Sequence, residues 1–137
     1  MRIVRPLFPR IAFLFALGAA WSVGATAQTA KVTVQHPAGA FLQAGGTRLW
    51  YESEGSGEPV IMIPGGPGDA HAVYHPFFSR LAEHHRVIYY DPFGVGKSDR
   101  AKAKSEYKFS HDVEDLEGTR KALQLPSVTL IGHSYGS

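Results

Sequence analysis

Ser127-Val128-Thr129-Leu130-Ile131-Gly132-His133-Ser134-Tyr135-Gly136-Ser137 is the stretch on which the reading of the fold turns. Residues 128–131 form an apolar, partly β-branched run that suits a strand and leads directly into Gly-x-Ser-x-Gly. That order is the sequence form of a nucleophile elbow, a strand-to-helix turn that lifts a serine hydroxyl out of the sheet. The serine there has a strained backbone, and side chains two residues to either side would strike the adjoining strand and helix. Ser134 is the candidate nucleophile, with Gly132 and Gly136 as its supports.

Upstream, the same grammar repeats twice. Residues 59–63 and 86–90 are continuous apolar runs, as in strands buried on both faces. Each ends in a turn-rich loop, Pro64-Gly65-Gly66-Pro67-Gly68-Asp69 and Asp91-Pro92-Phe93-Gly94-Val95-Gly96-Lys97-Ser98. Phe77, Phe78, Leu81 and Ala82 predict a helix over residues 74–84 between those strands. A second helix is expected over residues 111–125, with Ser110 as N-cap and Val113, Leu116, Arg120 and Leu123 along one face. Residues 41–43 and 47–54, joined at Gly45-Gly46, read as an antiparallel hairpin in front of these units. Two strand–helix–strand units imply a mostly parallel α/β sheet with flanking helices and right-handed crossovers. Sites in such sheets lie beyond the carboxyl ends of the strands, and all three turn-rich loops fall there.

Composition excludes several other classes. A chain that is 44% hydrophobic and 19% charged is not disordered, and zero cysteines rule out a disulfide framework or thiolate nucleophile. The net charge of +2 does not signal nucleic acid: Arg2, Arg5 and Arg10 lie in the first ten residues, and the remainder holds 11 basic against 12 acidic groups. Those arginines, the apolar residues 11–20 and the small Ala25-Thr26-Ala27 read as a secretory signal peptide over residues 1–27. The apolar run is short for a membrane span, so the mature protein is expected to be exported without stable membrane insertion. Residues 28–38 are expected to be a linker, and residues 39–137 one domain.

The Gly-x-Gly-Lys-Ser end of the second loop has a phosphate-loop flavour. However, Asp91 stands where the pattern demands glycine, and Pro92 removes a donor N–H. His71 and His75 follow the first loop and read as solvated loop residues; no metal-ligand set is defined, and no cofactor is expected. His133 is read as structural.

With these motifs in order, the chain resembles the α/β-hydrolase superfamily over residues 39–137, and within it the proline iminopeptidase-like branch. The Gly65-Gly66-Pro67-Gly68 loop, the Asp91…Gly94-x-Gly96-x-Ser98 turn, the Asp115-x-Glu117-x-x-Arg120 helix and the Ser134 elbow carry the resemblance. It departs at Pro64, where the branch usually has histidine, at Phe93, where it usually has arginine, and at His133 and Tyr135, a pairing commoner in esterases and lipases.

The resemblance implies an oxyanion hole formed by the N–H groups of Gly66 and Tyr135, with Gly65 and Asp91 as loop supports. It also implies an acid and a histidine that follow Ser134 in chain order, together with a downstream cap domain. The expected function is serine hydrolysis of a small ester or an N-terminal peptide amide. A non-catalytic binding module on the same fold is the alternative. On this reading residues 1–137 are the N-terminal portion of the fold and are expected to be inactive alone.

Overall fold

In a computed structural model of the chain, residues 36–137 are described; the expected signal peptide and residues 28–35 of the expected linker lie outside them. Five strands, β1 (Ala40–Ala44), β2 (Thr47–Glu54), β3 (Glu58–Ile63), β4 (His85–Tyr90) and β5 (Thr129–Gly132), make one sheet in the order β1-β2-β4-β3-β5. β1 pairs antiparallel with β2 and β2 antiparallel with β4, whereas β4, β3 and β5 run parallel. The hairpin and the parallel units therefore form as the sequence pattern implies. Gly45 and Gly46, at φ 59° and 94°, make the left-handed turn between β1 and β2.

β3 is central because it pairs on both sides, Ile61 with Ile88 of β4 and with Leu130 of β5. Its apolar run fits this position: Val60, Ile61 and Met62 are all buried. One face of the sheet buries Leu42, Leu49, Ile61, Ile88 and Tyr90. The other buries Met62, Val87 and Tyr89 beneath Tyr74 and Phe78. β5 lies at the edge, and Leu130 on it is 48% exposed.

The two helices differ from expectation in instructive ways. Residues 74–84 do not form one helix. They divide into a short α1 (His75–Phe78) and a 3-10 segment, Ser79–Glu83, preceded by a 3-10 turn at His71–Val73. Phe77, which the periodicity places on the inner face, is 74% exposed, and His75 is buried instead, stacked on Tyr89 with ring centroids 4.0 Å apart. The second helix, α2 (Phe109–Ala122), begins before Ser110, so Ser110 does not cap it. Lys108 takes the N-cap position in an extended conformation, and its carbonyl accepts from His111 N–H at 2.9 Å.

The expected apolar face of α2 is also rotated. Asp115 and Thr119 are its buried residues, while Val113 is half exposed. Gly118 explains the rotation: a Cβ there would lie 2.6 Å from Ala44 Cβ, so only glycine lets the helix approach β1 this closely. Gln124, at φ 56°, ends the helix in the left-handed region before Pro126.

Candidate active site

The parallel register places the ends of β3 and β5 side by side, with Ile63 opposite Gly132. His133 N–H donates to Ile63 O at 3.2 Å and locks the start of the turn to the end of β3. The chain then reverses at Ser134, whose φ of 55° is one of two positive values at non-glycine residues among those described. An L-residue in the left-handed region costs about 1–3 kcal/mol and persists only where its surroundings impose it. Here the surroundings are identifiable. A Cβ on Gly132 would lie 2.0 Å from Gly136 O, and one on Gly136 would lie 2.8 Å from Ile63 O and Pro64 O. The motif is thus a steric unit in which both glycines make room for the strained serine.

The loop after β3 leans on this turn. Gly65 is buried, and a Cβ on it would sit 2.8 Å from His133 Nδ1. Gly66 is exposed at φ 120°, and its N–H has no hydrogen-bond partner among the described residues. Tyr74 joins the two pieces: its hydroxyl accepts from Gly65 N–H at 2.5 Å and lies 3.4 Å from His133 Nδ1. Burial, with Asp69 nearby, pushes the Tyr74 hydroxyl up from its ordinary value, so it keeps its proton and donates it to Asp69 Oδ2 at 3.3 Å. Tyr135 is 41% exposed, and its hydroxyl donates to Asp112 Oδ2 at 2.9 Å. A cavity of about 540 Å³ opens between the loop and α2, walled by Pro64, Phe93, Phe109, Val113, Leu116 and Tyr135. Its lining is mainly apolar, as small-molecule pockets commonly are.

Asp91 organises the loop after β4 from beneath. It is wholly buried; Oδ1 accepts from His71 N–H at 2.8 Å and faces His71 Nδ1 at 2.7 Å, while Oδ2 accepts from Lys97 N–H at 2.8 Å. Burial by itself raises its pKa, but these donors together hold it below the usual carboxylate value. Ser98 Oγ donates to Asp91 O at 2.6 Å and accepts from Trp50 N–H at 2.8 Å. A Cβ on Gly96 would fall 2.0 Å from Asp91 Oδ2. The phosphate-loop flavour of residues 94–98 therefore has a structural source, because the loop is wrapped around its own carboxylate. Asp115 supports the same loop from α2 by accepting Phe93 N–H at 2.8 Å.

The structure thus brings Ser134, Gly132, Gly136, Gly65, Gly66 and Tyr135 to one edge, with Asp91 buried under the adjoining loop. No histidine hydrogen-bonds to Ser134 among the described residues. His71 and His75 differ from expectation: they are 5% and 1% exposed and turn inward toward Glu52 rather than to solvent. Sequence reasoning missed Glu52, because a lone acidic residue in a half-exposed strand gives no sign that imidazoles will converge on it. Two histidines four residues apart, on a segment that packs against the sheet, were the available signal.

An open parallel sheet with a strained serine after β5, and a glycine loop beside it, defines the α/β-hydrolase class. The α/β hydrolase fold family matches residues 58–137, and the chain belongs to it. Its relatives include proline iminopeptidases, as the sequence resemblance implies. It is 39% identical over 101 residues to the proline iminopeptidase of Heyndrickxia coagulans, covering 71% of this chain and 34% of that protein. The corresponding enzyme of Saccharolobus solfataricus is 37% identical over 87 residues, 63% of this chain and 28% of that one. Among solved structures, an esterase from Exiguobacterium antarcticum superposes with a TM-score of 0.64 at 36% identity, covering 72% of this chain and 37% of its own. The chain spans about a third of the length of these relatives. The hydrolase reading of the sequence stands at this level.

Proposed function

We propose that the protein is a serine hydrolase that cleaves a small ester or an N-terminal peptide amide through an acyl-enzyme on Ser134. The observation that carries this reading is the φ of 55° at Ser134, held by two glycines whose replacement the neighbouring backbone forbids. Strain of this kind clusters at reacting groups, and at Ser134, unlike at the helix-ending Gln124, it falls inside a Gly-x-Ser-x-Gly turn. In the reaction, Ser134 Oγ bonds to the carbonyl carbon while a histidine takes its proton. The histidine returns that proton to the departing alcohol or amine, and water then releases the acid and frees the serine.

The oxyanion formed on the way needs preorganised donors, each worth about 2.7–4 kcal/mol of barrier. Gly66 N–H, exposed and uncommitted, and Tyr135 N–H, next to the nucleophile, are the groups we assign to it. The relatives named as proline iminopeptidases and the esterase neighbour support the two substrate classes. We further propose export directed by residues 1–27, for which N-terminal sequencing of the secreted or periplasmic protein is the check.

The direct test is labelling of the full-length protein with a fluorophosphonate probe. Rapid labelling that Ser134→Ala abolishes is the expected result. Absence of labelling in a folded full-length protein overturns the catalytic reading in favour of a binding module.

A further inference from the structure

Away from the elbow, four side chains converge on one point for which the hydrolase reaction has no use. Glu52, 2% exposed on β2, is approached by His36 Nδ1 at 3.3 Å, His71 Nε2 at 2.9 Å and His75 Nε2 at 3.1 Å. The ligand atoms of all four residues lie within 4.8 Å of one another. Tetrahedral zinc, with bonds of about 2.0–2.1 Å, sets its donors about 3.3 Å apart, so modest closure of this cluster yields the geometry.

The bonding within the cluster is incomplete as it stands. His75 is 1% exposed, yet neither of its ring nitrogens has a hydrogen-bond partner among the described residues; the approach to Glu52 is close but misaligned. Buried polar atoms are seldom left so, because each costs the solvation it gave up. The adjoining contact is already in the form that a metal site requires. His71 presents Nε2 to the cluster while Nδ1 faces the buried Asp91 at 2.7 Å, the carboxylate–histidine pairing that orients metal-bound imidazoles. Charge also balances, since one divalent ion offsets the two buried carboxylates Glu52 and Asp91. Lys97, whose ammonium stands 3.6 Å from Glu52 Oε1 and rests over the Trp50 ring, is 55% exposed and free to swing outward. His36, 40% exposed, gives the ion a route in.

We propose that His36, Glu52, His71 and His75 form a structural site for a divalent transition-metal ion, with zinc the best match to three imidazoles and one carboxylate. The ion ties the segment before β1 to β2 and to the turn carrying Tyr74, and so fixes the glycine loop from behind without entering the chemistry. Mixed nitrogen and oxygen donors and burial favour zinc over calcium or magnesium, which prefer oxygen-rich shells.

The test uses the full-length protein, stripped with dipicolinate and titrated with Zn²⁺ against a chromophoric chelator. One ion per chain, a raised thermal midpoint, and visible Co²⁺ bands of four-coordinate intensity are expected. His36→Ala, which leaves the sheet core untouched, should weaken zinc binding by at least about 10–100-fold, and His75→Gln should do the same. Ser134→Ala should bind zinc as the parent does, which separates this outcome from that of the catalytic proposal. Failure of the full-length protein to bind stoichiometric zinc, or binding undiminished in His36→Ala, overturns the assignment.

Discussion

Asp91→Asn removes one charge and almost no volume from the most heavily bonded carboxylate at the site. Its Oδ1 serves both the N–H and the imidazole of His71, and its Oδ2 serves Lys97 N–H. An asparagine has one acceptor oxygen and one NH₂. With the oxygen toward His71, the amide points at Lys97 N–H, donor against donor; reversed, it abandons both His71 contacts. Hydrogen bonds to a charged group contribute about 1.5–3 kcal/mol each, and at least one is lost in either orientation. His71, 5% exposed, also loses a partner: burial alone lowers its pKa, but Asp91 and Glu52 leave it raised. Breaking a buried pair costs about 3–5 kcal/mol, which sets the expected loss. Urea unfolding of the full-length protein in the presence of chelator should show the midpoint falling by roughly 2 M for a slope near 2 kcal/mol/M. A loss below about 1 kcal/mol would mean that this hydrogen-bonding network does not hold the loop, and the reasoning would fail.

Asp115→Asn should behave differently, because burial raises the Asp115 pKa net and an amide oxygen can still accept Phe93 N–H; we expect a change within about 1 kcal/mol in the same unfolding assay. Gly132→Ala would push its Cβ to within 2.0 Å of a backbone carbonyl and so displace Ser134, the proposed nucleophile; hydrolytic kcat/KM should fall by about 10²-fold or more, with fluorophosphonate labelling slowed in step. Gly118→Ala should destabilise by about 1–3 kcal/mol without slowing labelling of the folded fraction, since it wedges α2 away from β1 rather than touching the elbow. Residues 1–137 expressed alone should not turn over p-nitrophenyl esters, since no histidine reaches Ser134 among the described residues; robust turnover abolished by Ser134→Ala would contradict this.

The parts of the fold that were legible in sequence are those in which one physical term dominates. β3 and β4 could be read because both faces of each are buried, so apolar content alone identifies them. The elbow could be read because its sterics demand glycine at two fixed positions. The helices were less clear, since their inward faces are not simply apolar: His75 and Asp115 occupy interior positions that patterning assigned to Phe77 and Val113. Gly118 set the rotation of α2 through a close approach to β1, a relation across 74 residues that local periodicity does not carry. The site divides along the same line. Ser134, its glycines and the loop after β3 are contiguous motifs, whereas the Glu52 cluster is assembled from β2, the turn after the glycine loop and the segment before β1.

The Tyr74 hydroxyl, set between Gly65 N–H and His133, gives the glycine loop and the Ser134 turn a common support. The two are therefore not separable modules. If the proposed hydrolase reading holds, reshaping the loop to admit a different substrate also shifts the backbone beside Ser134, so changes in substrate range and in rate should combine non-additively. A loop exchanged between relatives would have to carry residues 64–75 as one piece, because a transplant ending at Asp69 leaves behind the residue that holds it in register.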